Sequence, residues 1–569
     1  MRRRRLGAAA LAVAVVAGLA ACTPALPASV VPGSKIAVGW TQEFTSANAA
    51  ASPTAGNLDI AATTRGRFGD VVDGEFVPDE GFGTVKISSD EPFTVTYDLA
   101  EPAWSDGIPL DAADLLLGWA GAAGYFRTDD EADAGAEEGQ ADADIEVPAI
   151  DEFARSIAVT FAQPDIDWQS AVTVPVPAHV VGQRAFGTDD AMEAKQAVIR
   201  AIQDDDAEAL AAIAEVWNEG FALPEDGKIP ADLLLSSGPF QVDEVSVDEA
   251  GQSVRLVPNT GYRGLVTPKI ARIDLVPTGD DPLAAIGDSL DVVQVAPVAA
   301  NVDPIHELER RDLTSDTTHD GTVWALQLNP AGVFSEHAAR TAFIHAAPAT
   351  ALLQGGGGEW ASAYAGTTSM ATTPGSRAYD IVNEDSGFSA TLGTPGDDAA
   401  LEREAAGVPA GASVCVLYDR ASEFAAGAFV ALQGVAGEAG WSIVDCGTDD
   451  LEAALGQRAW NAVISRVPVP QTPGEIFAQW GSGGAASITG SADPERDELI
   501  AQLAQTTDVY EARDLRARIE ATIVRAAVAL PLAMNPRVTI VDKDVMGIAA
   551  RNGATAPLTS GVVQWEVAP

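Results

Sequence analysis

The side chains that could act as nucleophiles, bases or metal ligands are few, and their spacing suits none of those roles. Five histidines, His179, His306, His319, His337 and His345, form no pair at metal-ligand spacing. No Gly-x-Ser-x-Gly, His-Glu-x-x-His, Ser-x-x-Lys or Walker element occurs. Nothing singles out a carboxylate pair for glycoside hydrolysis among the 82 acidic residues. Glycines 355–358 lack the Gly-Lys-Ser/Thr that a phosphate cradle needs and read as a mobile loop. Cys415 lies in an apolar strand without a histidine nearby in sequence, which does not suit a thiol nucleophile. The expectation is no catalysis, no cofactor and no metal. An oxidising compartment favours pairing Cys415 with Cys446. Against it, one cysteine sits early in a strand and the other at the end of the next, a long reach between parallel neighbours. The residues leave that pairing open.

The third cysteine has a different context. Arg2 to Arg5 precede an uncharged run over 6–21 that ends Leu19-Ala20-Ala21-Cys22. The run is long enough for a signal h-region and short for a membrane span. A small-residue site followed at once by cysteine resembles a bacterial lipobox. That resemblance implies removal of residues 1–21 and a diacylglyceryl thioether on Cys22. The mature chain is then expected at the extracytoplasmic face of the cell membrane. The formal charge of −48 repels phosphate backbones and excludes nucleic acid as a partner. It also repels an anionic bilayer, so membrane contact is expected through the lipid alone. With 47% apolar residues the chain is globular.

The elements that would position a site alternate between strand and helix. Residues 22–34 read as a flexible tether, 35–40 as a strand and 93–99 as a half-buried strand of period two. Asp111 is placed to cap a helix over 112–119. The nine carboxylates of 128–146 read as a solvated acidic insertion. Residues 191–218 read as one helix, and 240–247, 253–258 and 270–277 as strands. Residues 412–467 repeat strand, helix, strand, helix, strand, the pattern of a parallel crossover sheet. Residues 493–526 read as two helices, and 527–534 and 538–541 as strands.

Five stretches then occur in a telling order: Val77-Pro78-Asp79; Trp104-Ser105-Asp106-Gly107 with Ala112-Ala113-Asp114; Ser237-Gly238-Pro239-Phe240; Asn259-Thr260-Gly261-Tyr262; and Leu326-Gln327-Leu328-Asn329 leading to Ala339-Arg340-Thr341-Ala342-Phe343. Together they resemble family 5 of the extracellular solute-binding proteins, the peptide- and nickel-binding class of ABC importers, over about residues 35–545. The resemblance implies an α/β, two-lobed periplasmic-binding-protein-like fold of the large peptide-binding type, with hinge strands and a discontinuous first lobe. Lobe I is expected at 35–300, with a subdomain near 61–171, lobe II at 301–526, and a return to lobe I at 527–569. It also implies ABC permease subunits as partners, a monomer, and no chemistry on the ligand. In peptide binders of this family, the loop after the strand equivalent to 461–467 carries an aspartate that pairs with the peptide ammonium. Here it reads Val467-Pro468-Val469-Pro470-Gln471-Thr472-Pro473-Gly474-Glu475, with no aspartate. The Pro-rich form is similar to an actinobacterial lipoprotein subgroup.

A solute receptor needs aromatic faces and a few polar anchors from each lobe. The candidates are Trp40, Gln42 and Asn48 near the first strand's exit, Trp324 and Gln327 on the crossover strand, and Trp360, Tyr364, Gln471 and Trp480 in the second lobe. The expected function is capture of an oligopeptide or similar polar solute for an ABC importer. The alternative is a non-transporting lipoprotein of the same fold that regulates cell-envelope glycolipid assembly.

Overall fold

The computed structural model describes residues 26–568 except 73–74, 128–145, 151–153, 225–227, 389–391, 393–397 and 549–557. The leader over 1–21, Cys22 and the acidic stretch up to residue 145 lie outside the described residues. The first strand, β1, spans Val31–Gly39. Residues 31–34, expected as tether, are therefore strand, with Val31 paired to Ile270. Ile36, Ala37 and Val38 are all buried, as befits a strand covered on both faces.

After β1 come α1 (Ala55–Thr64), the hairpin of β2 (Gly69–Val72) and β3 (Glu75–Pro78), β4 (Gly83–Asp90) and β5 (Phe93–Leu99). α2 (Ala112–Ala122) starts where Asp111 caps it, with Asp114 closing the reciprocal capping box. β6 (Ser156–Thr160) completes a three-stranded sheet with β4 and β5. The expected single helix over 191–218 is two, α3 (Ala191–Gln203) and α4 (Ala207–Asn218). Three consecutive aspartates break it: Asp205 takes a φ of 50°, and the Asp206 carboxylate caps α4. β7 (Phe240–Asp248), β8 (Gly251–Pro258), β9 (Ile270–Val276) and β10 (Val292–Val295) then join β1 in the main sheet.

Beyond residue 300 the elements are β11 (Thr314–Leu328), α5 (Ala349–Gly357), β12 (Ala365–Gly366), β13 (Ala412–Tyr418), α6 (Glu423–Glu438), β14 (Trp441–Asp445) and β15 (Ala462–Pro468). They are followed by α7 (Pro473–Trp480), α8 (Pro494–Ala504), α9 (Val509–Ala526) and β16 (Ala529–Val541). The main sheet runs β14-β13-β15-β11-β16-β10-β1-β9-β8-β7, with β12 on β16. β13 is parallel to β14 and β15, as the crossover pattern predicts.

Two expectations are corrected here. Gly355 to Gly357 are helical rather than a mobile loop, and Gly355 and Gly356 lie against α6; a Cβ on Gly427 would sit 2.2 Å from the Gly355 carbonyl oxygen. The glycines serve close helix approach. The segment 527–541 contains one strand rather than two. β16 passes through Pro531 and Pro536, which pair with Ala325 and His319 at the two register irregularities between β11 and β16. A proline cannot donate to the ladder, so the irregularities fall where the prolines are. Cys415 and Cys446 form a disulfide with Cα atoms 5.6 Å apart. The objection from strand offset fails because Cys415 faces Val444 in register and Cys446 follows the end of β14, where its N–H donates to the Val416 carbonyl.

β11 and β16 carry the sheet from one half of the molecule to the other. Val538 to Val541 of β16 pair with β10, whereas Ala529 to Met534 pair with the end of β11 that adjoins β15. One apolar core collects β1, β5, β6 and α2 and also takes Val541, Val562 and Trp565 from the chain's end. Separate cores collect α5, α6 and β13 to β15, and α7 to α9. Two packed halves therefore share two long strands, and the C-terminal segment lies in the first.

Candidate functional site: a cleft between two packed halves

β1 ends at Gly39, where a Cβ would meet Thr278 and Val293 side chains at 2.9 and 3.0 Å, and Trp40 follows with its N–H on the Val276 carbonyl. The Trp40 indole donates to Asp59 Oδ2 at 2.7 Å. Asp59 belongs to α1, whose Asn57 fixes the polar loop: its Oδ1 accepts from the Thr45 and Ser46 N–H groups. Burial pushes the Asp59 carboxyl above its usual range, against the opposing pull of the Trp40 bond and the Arg537 charge. Gly39, Trp40, Asp59 and Arg537 line a cavity of about 650 Å³ together with Gln42, Leu58, Arg67 and Asp70.

A second cavity of about 370 Å³ lies where the two halves meet. The first half contributes Val71, Phe76 and residues 166–170, and the second contributes 371–373, Gln471 and the start of α9. Val71 of β2 lines both cavities. Gln471 is held from three sides: its N–H donates to Glu475 Oε2 at 2.6 Å, its side-chain amide to the Val469 carbonyl, and Arg516 to its own carbonyl at 3.0 Å. Glu475 also caps α7 with Thr472, so the carboxylate of this loop is committed to its helix start. Across the gap, burial and then the neighbouring Asp165 raise the Asp167 carboxyl, while the Arg516 charge lowers it. The second wall is fixed by Glu520, a fully buried carboxylate that accepts from Ser369 Oγ and from the Met370 and Ala371 N–H groups at 2.9–3.0 Å.

A polar chain joins the larger cavity to the shared strands. The Trp324 indole donates to Asn535 Oδ1 at 2.9 Å, and Asn535 donates to Asp320 Oδ2 at 2.8 Å. Arg466 pairs with the same Asp320 oxygen at 3.2 Å. Arg537 lies in the field of both Asp320 and Asp59.

Of the nine candidate contact residues, Trp40 and Gln42 line the larger cavity and Gln471 the smaller. The other six line neither. Asn48 is buried, donating to the Trp217 carbonyl at 2.8 Å. Gln327 is buried in β11. Trp324 and Tyr364 pack on Phe424, with ring centroids 4.5 and 4.7 Å away. Trp360 bridges two apolar cores and donates to the Val298 carbonyl at 2.8 Å. Trp480 is 3% exposed in the core under α7 to α9. Asp59, Val71, Asp167 and Arg516 were missed, because single charges or valines in short elements carry no periodic signal.

Among the described residues no group of histidine, cysteine or acidic side chains is arranged to hold a metal ion, and no helix is long and apolar enough to cross a membrane. Two packed halves joined by paired strands, with a cavity where they meet, define a two-lobed binding protein. Solved structures bear this out as a fold. The periplasmic EDTA-binding protein EppA superposes with a TM-score of 0.74 at 19% identity, covering 96% of this chain and all of that one. CtaP of Listeria monocytogenes, an ABC transporter substrate-binding protein, gives 0.69 at 16% over 94% of this chain and all of its own. AppA of Bacillus subtilis, an oligopeptide-binding protein in complex with a nonapeptide, gives 0.60 at 12%, covering 94% and 99%. The description "Bacterial extracellular solute-binding proteins, family 5 Middle" matches residues 86–386, and the chain belongs to that family. Uncharacterized lipoproteins of Mycobacterium tuberculosis and Mycobacterium leprae are each 32% identical to it, over 236 and 235 residues. Those matches span 39% of this chain and 38% of each relative.

Proposed function

We propose that the chain captures an oligopeptide or similarly sized polar solute between its lobes and delivers it to ABC permease subunits, without altering it. Lipid on Cys22 tethers it, as a monomer, to the extracytoplasmic face of the cell membrane. The observation that carries this reading is the pair of cavities meeting at Val71, the smaller walled by both lobes. Contacts made to both lobes at once favour the closed state, which is how such a receptor signals occupancy. The carboxylate of the 467–475 loop is occupied by α7, so the reading invokes backbone-like hydrogen bonds rather than a charged anchor for a peptide ammonium. Cavities of this size support capture over the non-transporting alternative. The test is native mass spectrometry of the chain purified from its own host. A discrete added mass released on unfolding is the expected result. A spectrum of bare protein only, with calorimetry showing no uptake of a mixed tripeptide library, would refute it.

A further inference from the structure

The two cavities differ in what their walls offer, and the inference that follows rests on the solute-capture reading above. Small and aliphatic side chains, Ala49, Ala50, Ala61 and Ala62 with Leu58 and Val71, make up part of the larger one's wall, and charged and polar groups make up the rest. Leu58 and Val71 are 46% and 48% exposed, although both are aliphatic. Several of the polar groups of that wall are already engaged, although Gln42 and the Arg537 guanidinium line it as well. Trp40 holds Asp59, and Arg67 pairs with Asp70 at 2.8 Å. Arg65 donates to the carbonyls of Pro175, Leu235 and Ala47. Gln294 donates to Thr539. An entering molecule meets more hydrocarbon than polar surface there, and what it gains from the apolar part is the release of water. The smaller cavity is the more polar of the two: Ser170, Thr372, Thr373, Gln471, Asp167 and Arg516 share its wall with apolar side chains such as Phe76 and Val469. Val71 belongs to both walls, so the two cavities adjoin at β2.

We infer that the cleft takes an amphiphile, its aliphatic chain along the larger cavity and its polar head against the Thr372–Gln471–Arg516 wall of the smaller. Such a ligand uses both lobes with different chemistry, the chain on lobe I and the head on lobe II.

The test is calorimetry on the chain lacking residues 1–21, a segment outside the described fold. The probes are N-acylglycines of four, six, eight and ten acyl carbons, all below micelle-forming concentration, with trialanine as a compact polar control. Affinity is expected to rise roughly fourfold per added methylene until the larger cavity is filled. Leu58→Asp, at an exposed helix position, is expected to flatten that dependence. Leu58→Gln, with its melting curve checked, serves if the aspartate disturbs folding. An affinity indifferent to chain length, or trialanine bound more tightly than every acyl probe, overturns the amphiphile and leaves solute capture standing. No uptake of any probe, together with no added mass on the chain from its own host, overturns both.

Discussion

Glu520 shows how a single residue holds the cleft's second wall and makes it pH-dependent. Its carboxylate is wholly buried on α9, and burial pushes its pKa to about 6 in spite of three donated hydrogen bonds. The folded state thus binds its proton more tightly than the unfolded chain does. The stability this group contributes is complete below its unfolded value near 4.5 and is lost as pH rises through about 6. In Glu520→Gln the amide NH₂ meets the Met370 or Ala371 N–H, donor against donor, at a cost of about 1–3 kcal/mol. Melting curves of both proteins should separate further as pH falls from 7 to 5, by about 1 kcal/mol in favour of the carboxylate. A gap that is constant with pH would count against the shifted carboxyl. Trp480 makes the opposite case among the candidate residues. With its ring in the core, Trp480→Ala should cost about 3–5 kcal/mol of stability. A variant that melts like the parent would return Trp480 to the list of contact residues.

At the scale of elements, the close approach of α5 and α6 gives a paired prediction. Gly427→Ala puts a methyl 2.2 Å from the Gly355 carbonyl oxygen, where backbone must shift, and should destabilise by about 1–3 kcal/mol. Gly434→Ala on the same helix meets nothing within 4 Å and should stabilise by about 0.5–1 kcal/mol through helix propensity. Chemical denaturation of the two variants should give opposite signs; equal signs would mean that the helices slide freely. The disulfide ties β13 to the end of β14 across a separation of 31 residues, and Cys415→Ser with Cys446→Ser should cost about 3–4 kcal/mol in the chain-entropy account. The motif stretches that made the fold legible turn out to be its staples. Asn259 donates to the carbonyls of Ser236 and Gly238, Trp104 to Asp114, and Arg340 to the carbonyls of Ala526 and Phe334. Lys195 closes the group, buried between Asp111 and Asp114 at 3.0 and 2.8 Å. Such residues are readable because each answers a local backbone need. The cleft walls are not, since Val71, Ala371 and Arg516 meet only through tertiary packing. A tryptophan's type alone does not distinguish Trp40 on a cavity from Trp480 in a core.

For the whole molecule the question is what holds the two lobes together besides β11 and β16. Residues 165–168 form a third link. The Tyr97 hydroxyl of β5 donates to the Trp168 carbonyl, fixing the segment to lobe I. On the other side, the Ile166 N–H donates to the Ala504 carbonyl at the end of α8 at 2.9 Å, and the Ile166 side chain packs on the core under α7 to α9. Asp167 adds its charge opposite Arg516. Opening the cleft has to undo this link, because the paired strands can bend while a docked isoleucine must leave its socket. Ile166→Asp replaces the apolar contact with a carboxylate beside Asp165, Asp167 and Glu475, so burial and like charge both oppose docking. Small-angle scattering of this variant should show a larger radius of gyration than the parent, and hydrogen exchange should rise in residues 166–170 and at the end of α8. Its core melting transition should move little, because the side chain is only partly buried at the edge of that core. Ile166→Val keeps the contact and should scatter like the parent. If Ile166→Asp keeps the parent's radius and exchange pattern, the lobes are held by the two strands alone.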